Sequence, residues 1–216
     1  MRTSDTAAKT TSHPGNRRSP APLHLLLCLI VSFAAMNTSA ESPKTANSKT
    51  QRATFGGGCF WCMEAVFQTV DGVLSSTSGF AGGTALNPTY EQVCTGTTGH
   101  AEVIQLEFDP ARISYEKLLE IFWKAHDPTT LNYQGHDHGT QYRSIILYHT
   151  EAQKIAAEKS KREAQARFKN PIVTQIIPLV KFYRAEDYHQ DYFRKHPDAA
   201  YCRIVIQPKL EKLKNH

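Results

Sequence analysis

From Ala53 onward the chain alternates short strand-like stretches with helix-like ones, and this interleaving limits it to an α+β domain. HAEVIQLEFDP (residues 100–110) reads as a strand with Glu102, Ile104, Leu106 and Phe108 on one face, stopped by Asp109-Pro110. CFWCMEAVFQTV, from Cys59, carries apolar residues at helical spacing: Cys59, Met63, Val66 and Val70. SYEKLLEIFWKAH predicts a helix capped by Ser114, and TEAQKIAAEKSKREAQARF predicts one opened by a Thr150-x-x-Gln153 capping box. SIILYH predicts a strand, IVTQIIPLVKFYRA a strand region with an edge or bulge at Pro178, and AEDYHQDYFRKHP a short helix. Two long loops separate these elements, GFAGGTALNPTY (79–90) and DPTTLNYQGHDHGTQYR (127–143). The unusual polar residues crowd into the loops, where function concentrates.

The front end is of a different kind. Arg17 and Arg18 precede the apolar run at 21–36, and Thr38, Ser39 and Ala40 follow it. A basic segment, an apolar core and a small-residue exit predict that residues 1–40 are a secretory signal, with membrane anchoring by 21–36 as the alternative. The run is shorter than the roughly 20 residues that span a bilayer. Residues 41–52 read as a flexible leader, and 53–216 as one domain with a C-terminal tail from about 197. Of the net charge of +5, residues 1–40 hold +3, so the domain has no basic patch and no nucleic-acid partner is expected.

Export sharpens the question of the thiols, because outside the cytoplasm they tend to end as disulfides. Cys59, Cys62, Cys94 and Cys202 allow three full pairings, and a domain of this size does not need staples. Cys59 follows Gly56-Gly57-Gly58 at the start of a helix, where unpaired N–H groups lower a thiol's pKa, so it is placed as a nucleophile. Phe60 and Trp61 would wall a small apolar group. Glu102, in line with the buried strand face, would be held protonated by desolvation and so serve as a general acid. Cys94 lies in a loop and is given no role. Cys59-x-x-Cys62 with His136-x-His138 is not a zinc spacing, and no metal or bound cofactor is expected.

GCFWCMEAVF, GFAGG, NPTYEQVCTGTTGHAEVIQLEFDP, FWKAHDPT, QGHDHGTQYRS and FYRAEDYHQDYF together resemble the A-type peptide methionine sulfoxide reductases, from about Phe55 to the C-terminus. The resemblance implies a ferredoxin-like two-layer α+β sandwich with a mixed sheet and long functional loops. It implies reduction of the S-epimer of methionine sulfoxide, free or in proteins. Cys59 would attack sulfur, Phe60 and Trp61 would hold the substrate methyl, and Glu102 would protonate the oxygen. Tyr90 and Tyr142 would hydrogen-bond that oxygen, and Asp137 would orient the substrate. The sulfenic acid left on Cys59 would be resolved to a disulfide and reduced by a thioredoxin-type donor, by a protein acting as a monomer. Many family members carry recycling cysteines in a mobile tail, which makes Cys202 the expected resolving thiol and Cys62 the alternative. Two other readings stay open: a thioredoxin-like disulfide oxidoreductase using Cys59 and Cys62, and a noncatalytic module that binds thioethers. Residues 1–40 place the protein in the periplasm or outside the cell.

Overall fold

In this computed structural model the described residues are 50–214, so the expected signal (1–40) and residues 41–49 of the expected leader (41–52) lie outside them. Gln51 and Arg52 of that leader are instead paired with Phe108 and Glu107 at the start of a strand. Eight strands follow in chain order: β1 (Gln51–Gly56), β2 (Val73–Ala81), β3 (Ala101–Phe108), β4 (Tyr133–Gln134), β5 (Asp137–His138), β6 (Ile145–Tyr148), β7 (Gln175–Pro178) and β8 (Phe182–Arg184). The helices are α1 (Phe60–Phe67), α2 (Tyr90–Cys94), α3 (Tyr115–Ala125), α4 (Glu151–Ala164), α5 (Tyr192–Lys195) and α6 (Gln207–Lys214). A π-helical turn over Cys202–Ile206 leads into α6.

Six strands form one mixed sheet in the order β7-β6-β1-β3-β2-β8. Every neighbouring pair is antiparallel except β6 with β7. The alternation along β3 sorts its side chains as expected. Ile104, Leu106 and Phe108 join the main core with α1 and α3, while Ala101 and Val103 join a smaller cluster with Ala81, Ile145 and Leu147. In the main core Phe55 of β1 meets Phe67, Tyr115 and Phe122, with ring centroids 5.8, 6.0 and 5.2 Å away. Such tilted pairs add to the area they bury.

The strand region around Pro178 is two strands, β7 and β8, on opposite edges of the sheet, and Pro178 ends an edge strand as expected. Only Leu179, Val180 and Lys181 join them, a span of at most about 14 Å. Five strand spacings in a flat sheet would be roughly 24 Å. The sheet must therefore curl until its edges approach, and the smaller cluster, with Ile177, Leu179 and Phe182 packed against it, fills that curl. Gly79 allows the closure, because a Cβ there would strike the Phe182 ring and the Tyr183 carbonyl.

Helix ends follow the expected chemistry. The Ser114 and Thr150 side chains accept the Lys117 and Gln153 N–H groups. The reciprocal half of the Thr150 box is displaced by one residue, since Gln153 Oε1 accepts the His149 N–H instead. The stretch 185–197 is a 3₁₀ turn at Asp187–His189 and then α5, not one helix. The tail is helical, and Cys202 and Ile206 are fully buried in the main core.

Candidate active site

Strand β1 delivers the chain to Cys59 through Gly58, whose φ of +92° favours glycine and whose missing Cβ leaves room for Gln134. The glycine run thus admits the protein's own side chain rather than a ligand. Cys59 is the N-cap residue of α1, and its carbonyl accepts the Cys62 and Met63 N–H groups. Its thiol makes no cap hydrogen bond. Helix starts leave N–H groups without partners, and here one is met from far along the chain: the Phe60 N–H donates to Glu102 Oε2 at 3.0 Å. The same bond fixes the carboxyl beside Cys59.

A pocket of about 150 Å³ opens at this point, lined by Cys59, Phe60, Trp61, Tyr90, Glu102, Asp137, Tyr142 and Tyr201. Seven of the eight were nominated from sequence. Tyr90 starts α2, capped by Thr89 and Gln92, while Tyr142 ends a 3₁₀ turn and Asp137 lies on the β4–β5 hairpin. The loop at 127–143 is therefore more ordered than its sequence predicts. Trp61 stacks on Tyr192, with centroids 3.7 Å apart and planes 6° off parallel. His189 packs behind Phe60, Trp61 and Tyr90.

Tyr201 is the residue that sequence reasoning missed. Its hydroxyl donates to Asp137 Oδ2 at 2.8 Å and lies 3.7 Å from Cys62 Sγ. A usable signal was present in the tail: Cys202, Ile206, Leu210 and Leu213 repeat at helical spacing, which docks the segment and carries Tyr201 to the pocket.

Electrostatics correct one expectation. Burial, at 8% exposure, pushes the Cys59 thiol up despite its helix-start position; its bond to Cys62 and the Glu102 charge push the same way. Cys62 moves down to about 7, chiefly through the hydrogen bond from Cys59. The proton lost near neutrality is thus that of Cys62, and Cys59 keeps its own as the donor of that hydrogen bond. Burial drives Glu102 up to about 8, against the pull of the Phe60 N–H. At neutral pH it is an acid, and while neutral it does not repel a thiolate at Cys59. Burial also keeps the Tyr90, Tyr142 and Tyr201 hydroxyls protonated and able to donate.

The remaining thiols sit apart. Cys202 does not line the pocket; it is buried in the π-helical turn, where the Cys62 charge adds to burial in raising it. Cys62, by contrast, is a free thiol one helical turn from Cys59 and takes a hydrogen bond from it. Cys94 is the exposed last residue of α2, not part of a loop.

The protein family described as peptide methionine sulfoxide reductase matches residues 51–216. The chain belongs to that family. It is similar, at 59% identity over 162 residues, to peptide methionine sulfoxide reductase MsrA of Leptospira borgpetersenii, covering 75% of this chain and 92% of the relative. The crystal structure of reduced Mxr1 from Saccharomyces cerevisiae matches with a TM-score of 0.69 and 36% identity, over 75% of this chain and 94% of Mxr1. Mxr1 in complex with Trx2 matches at a TM-score of 0.50 and 28% identity, over 70% of this chain and 91% of that one. This peptide methionine sulfoxide reductase is an oxidoreductase acting on a sulfur group.

Proposed function

We propose that the reductase converts the S-epimer of methionine sulfoxide, free or in proteins, to methionine at the Cys59 pocket. The observation that carries this is the meeting of a thiol, a protonated carboxyl and three tyrosine hydroxyls around one cavity walled by Phe60 and Trp61. The substrate methyl sits against those two rings. Its oxygen accepts hydrogen bonds from Tyr90 and Tyr142, and Asp137, held by Tyr201, orients the rest. Sulfoxide oxygen leaves sulfur only once it is protonated, so Glu102 supplies that proton as Cys59 attacks and gives its own thiol proton to the Cys62 thiolate. Methionine departs, and Cys59 keeps the oxygen as a sulfenic acid.

Cys62 then attacks the Cys59 sulfenic acid, which forms the disulfide and releases water. The N-cap and third-residue positions on α1, and the sulfur–sulfur hydrogen bond, support Cys62 as the first resolving thiol. Cys202, close enough to feel the Cys62 charge, is the second: its attack on Cys62 frees Cys59 and leaves the disulfide between Cys62 and Cys202. A thioredoxin-type dithiol then takes up the oxidation, as the Mxr1 complex with Trx2 suggests. A stand-alone disulfide oxidoreductase would leave Glu102 and the tyrosines without work.

Three further parts belong to this reading. The order β6-β1-β3-β2, all antiparallel, with α1 after β1 and α3 after β3, supports a ferredoxin-like unit. Export by residues 1–40 places the enzyme outside the cytoplasm; recovery of the full-length chain in the cytosol would end that part. The enzyme acts as a monomer without a bound cofactor.

The test is turnover of each methionine sulfoxide epimer with dithiothreitol, followed as methionine formed. Turnover of the S-epimer alone is expected; turnover of neither would overturn the proposal.

A further inference from the structure

One buried carboxylate is left over by the mechanism. Glu64 lies on α1, 1% exposed, and its Oε1 has no hydrogen-bond partner. Such a group is costly to bury and needs a structural counterpart. Its counterpart is α5. Trp61, Glu64 and Gln68 occupy one face of α1, at spacings of three and four, and all three meet the dipeptide Asp191-Tyr192. Trp61 stacks on the Tyr192 ring. Gln68 Nε2 donates to Asp191 Oδ1 at 2.6 Å. The buried Glu64 side chain lies on α1 between these two contacts, and the Asp191 and Tyr192 backbone N–H groups and the Ser78 side chain pull its pKa down against burial. Asp191 is held in the left-handed region at φ 56°, a conformation that needs such support in a non-glycine residue.

The Trp61 Nε1 is buried without a hydrogen-bond partner, and of its ring neighbours Phe60, His189 and Tyr201 meet it tilted or edge-on at 5.5–6.2 Å, so Tyr192 is its one face-to-face contact. Stacking on Tyr192 therefore sets the orientation of a ring that lines the substrate pocket. We propose that Glu64 is a positioning residue for methionine sulfoxide: by seating Asp191-Tyr192 on α1 it fixes Trp61 and so sets substrate affinity, without touching the reacting atoms. Burial, helped by the Asp191 charge, raises the Glu64 carboxyl to about 7 against the pull of those donors.

This rests on the sulfoxide reading above, and one set of assays separates the two. Single-turnover kinetics on methionine-S-sulfoxide are measured for the wild type, Glu64→Gln, Glu64→Leu, Tyr192→Leu and the Glu64→Leu/Tyr192→Leu pair, with melting curves for each. The half-saturating substrate concentration is expected to rise about three- to tenfold in Glu64→Leu and Tyr192→Leu, and less in Glu64→Gln, which keeps one acceptor. The rate at saturation stays within about twofold, and the pair is no worse than its weaker member, since both act through one ring. If Glu64→Leu fails to fold, Glu64→Gln alone decides. A lowered melting temperature with unchanged half-saturation, or effects that multiply in the pair, would overturn the inference while leaving the sulfoxide reading intact. No methionine from the wild type would sink the reading itself.

Discussion

Two glutamates, Glu102 and Glu64, serve helix starts in nearly the same way, and only one belongs to the reaction. Glu102 accepts the Phe60 N–H at the start of α1, and the N–H groups at the start of α5 pull on the Glu64 carboxyl. Both are buried, and burial lifts both carboxyls, to about 8 and about 7. What separates them is the company at the carboxyl. Glu102 opens into a pocket beside a thiol, whereas Glu64 is surrounded by the Asp191-Tyr192 backbone and the Ser78 side chain. A raised carboxyl pKa marks desolvation, and only the neighbouring groups turn desolvation into acid catalysis.

The sharpest way to break this comparison is Glu102→Gln. It keeps the acceptor for Phe60 and removes the proton, so single-turnover reduction should fall by roughly 10²–10⁴-fold in a quench assay. The same change at Glu64 should leave that rate nearly untouched. Stability should move the other way. The folded pKa of Glu102 lies above its ordinary value of 4.5, so its favourable contribution is complete below about 4.5 and is lost as pH rises towards 8. Thermal melts at pH 8 should therefore find Glu102→Gln more stable than the wild type, with the difference gone near pH 4.5.

The next effect concerns the thiols. Cys62→Ser should stop the enzyme after a single methionine per molecule with a thioredoxin-type reductant, while Cys202→Ser should slow recycling and leave the first disulfide intact. Mass analysis of the trapped disulfides distinguishes the two. A pH profile refines this. The Cys59–Cys62 pair must lose a proton near 7 and Glu102 must keep one up to about 8, so the single-turnover rate should peak between those values. Cys62→Ser should move the acid limb upward, because Cys59 then loses the thiolate that takes its proton. The smallest expected change is Tyr201→Phe, which removes the hydrogen bond to Asp137 and should cost about tenfold or less in kcat/KM.

Much of the site was legible because local pattern fixed it. The β3 alternation put Glu102 on the covered face, the glycine run and helix spacing put Cys59 at an N-cap, and ordered motifs named Tyr90, Asp137 and Tyr142. The missed features all depend on contacts between distant segments. Tyr201 reaches the pocket only because α6 docks on the core, and β7 and β8 part only because the sheet curls. The thiol pKa of Cys59 was misjudged for the same reason: helix position was visible in the sequence, but the depth of burial was not.

The most direct test mixes the Cys62→Ser/Cys202→Ser protein with equimolar methionine-S-sulfoxide and dimedone, then maps the adduct by peptide mass spectrometry. One methionine per protein and a dimedone adduct on Cys59 alone are the predicted result. Methionine released at the same rate by a protein carrying Cys59→Ser as well would contradict it.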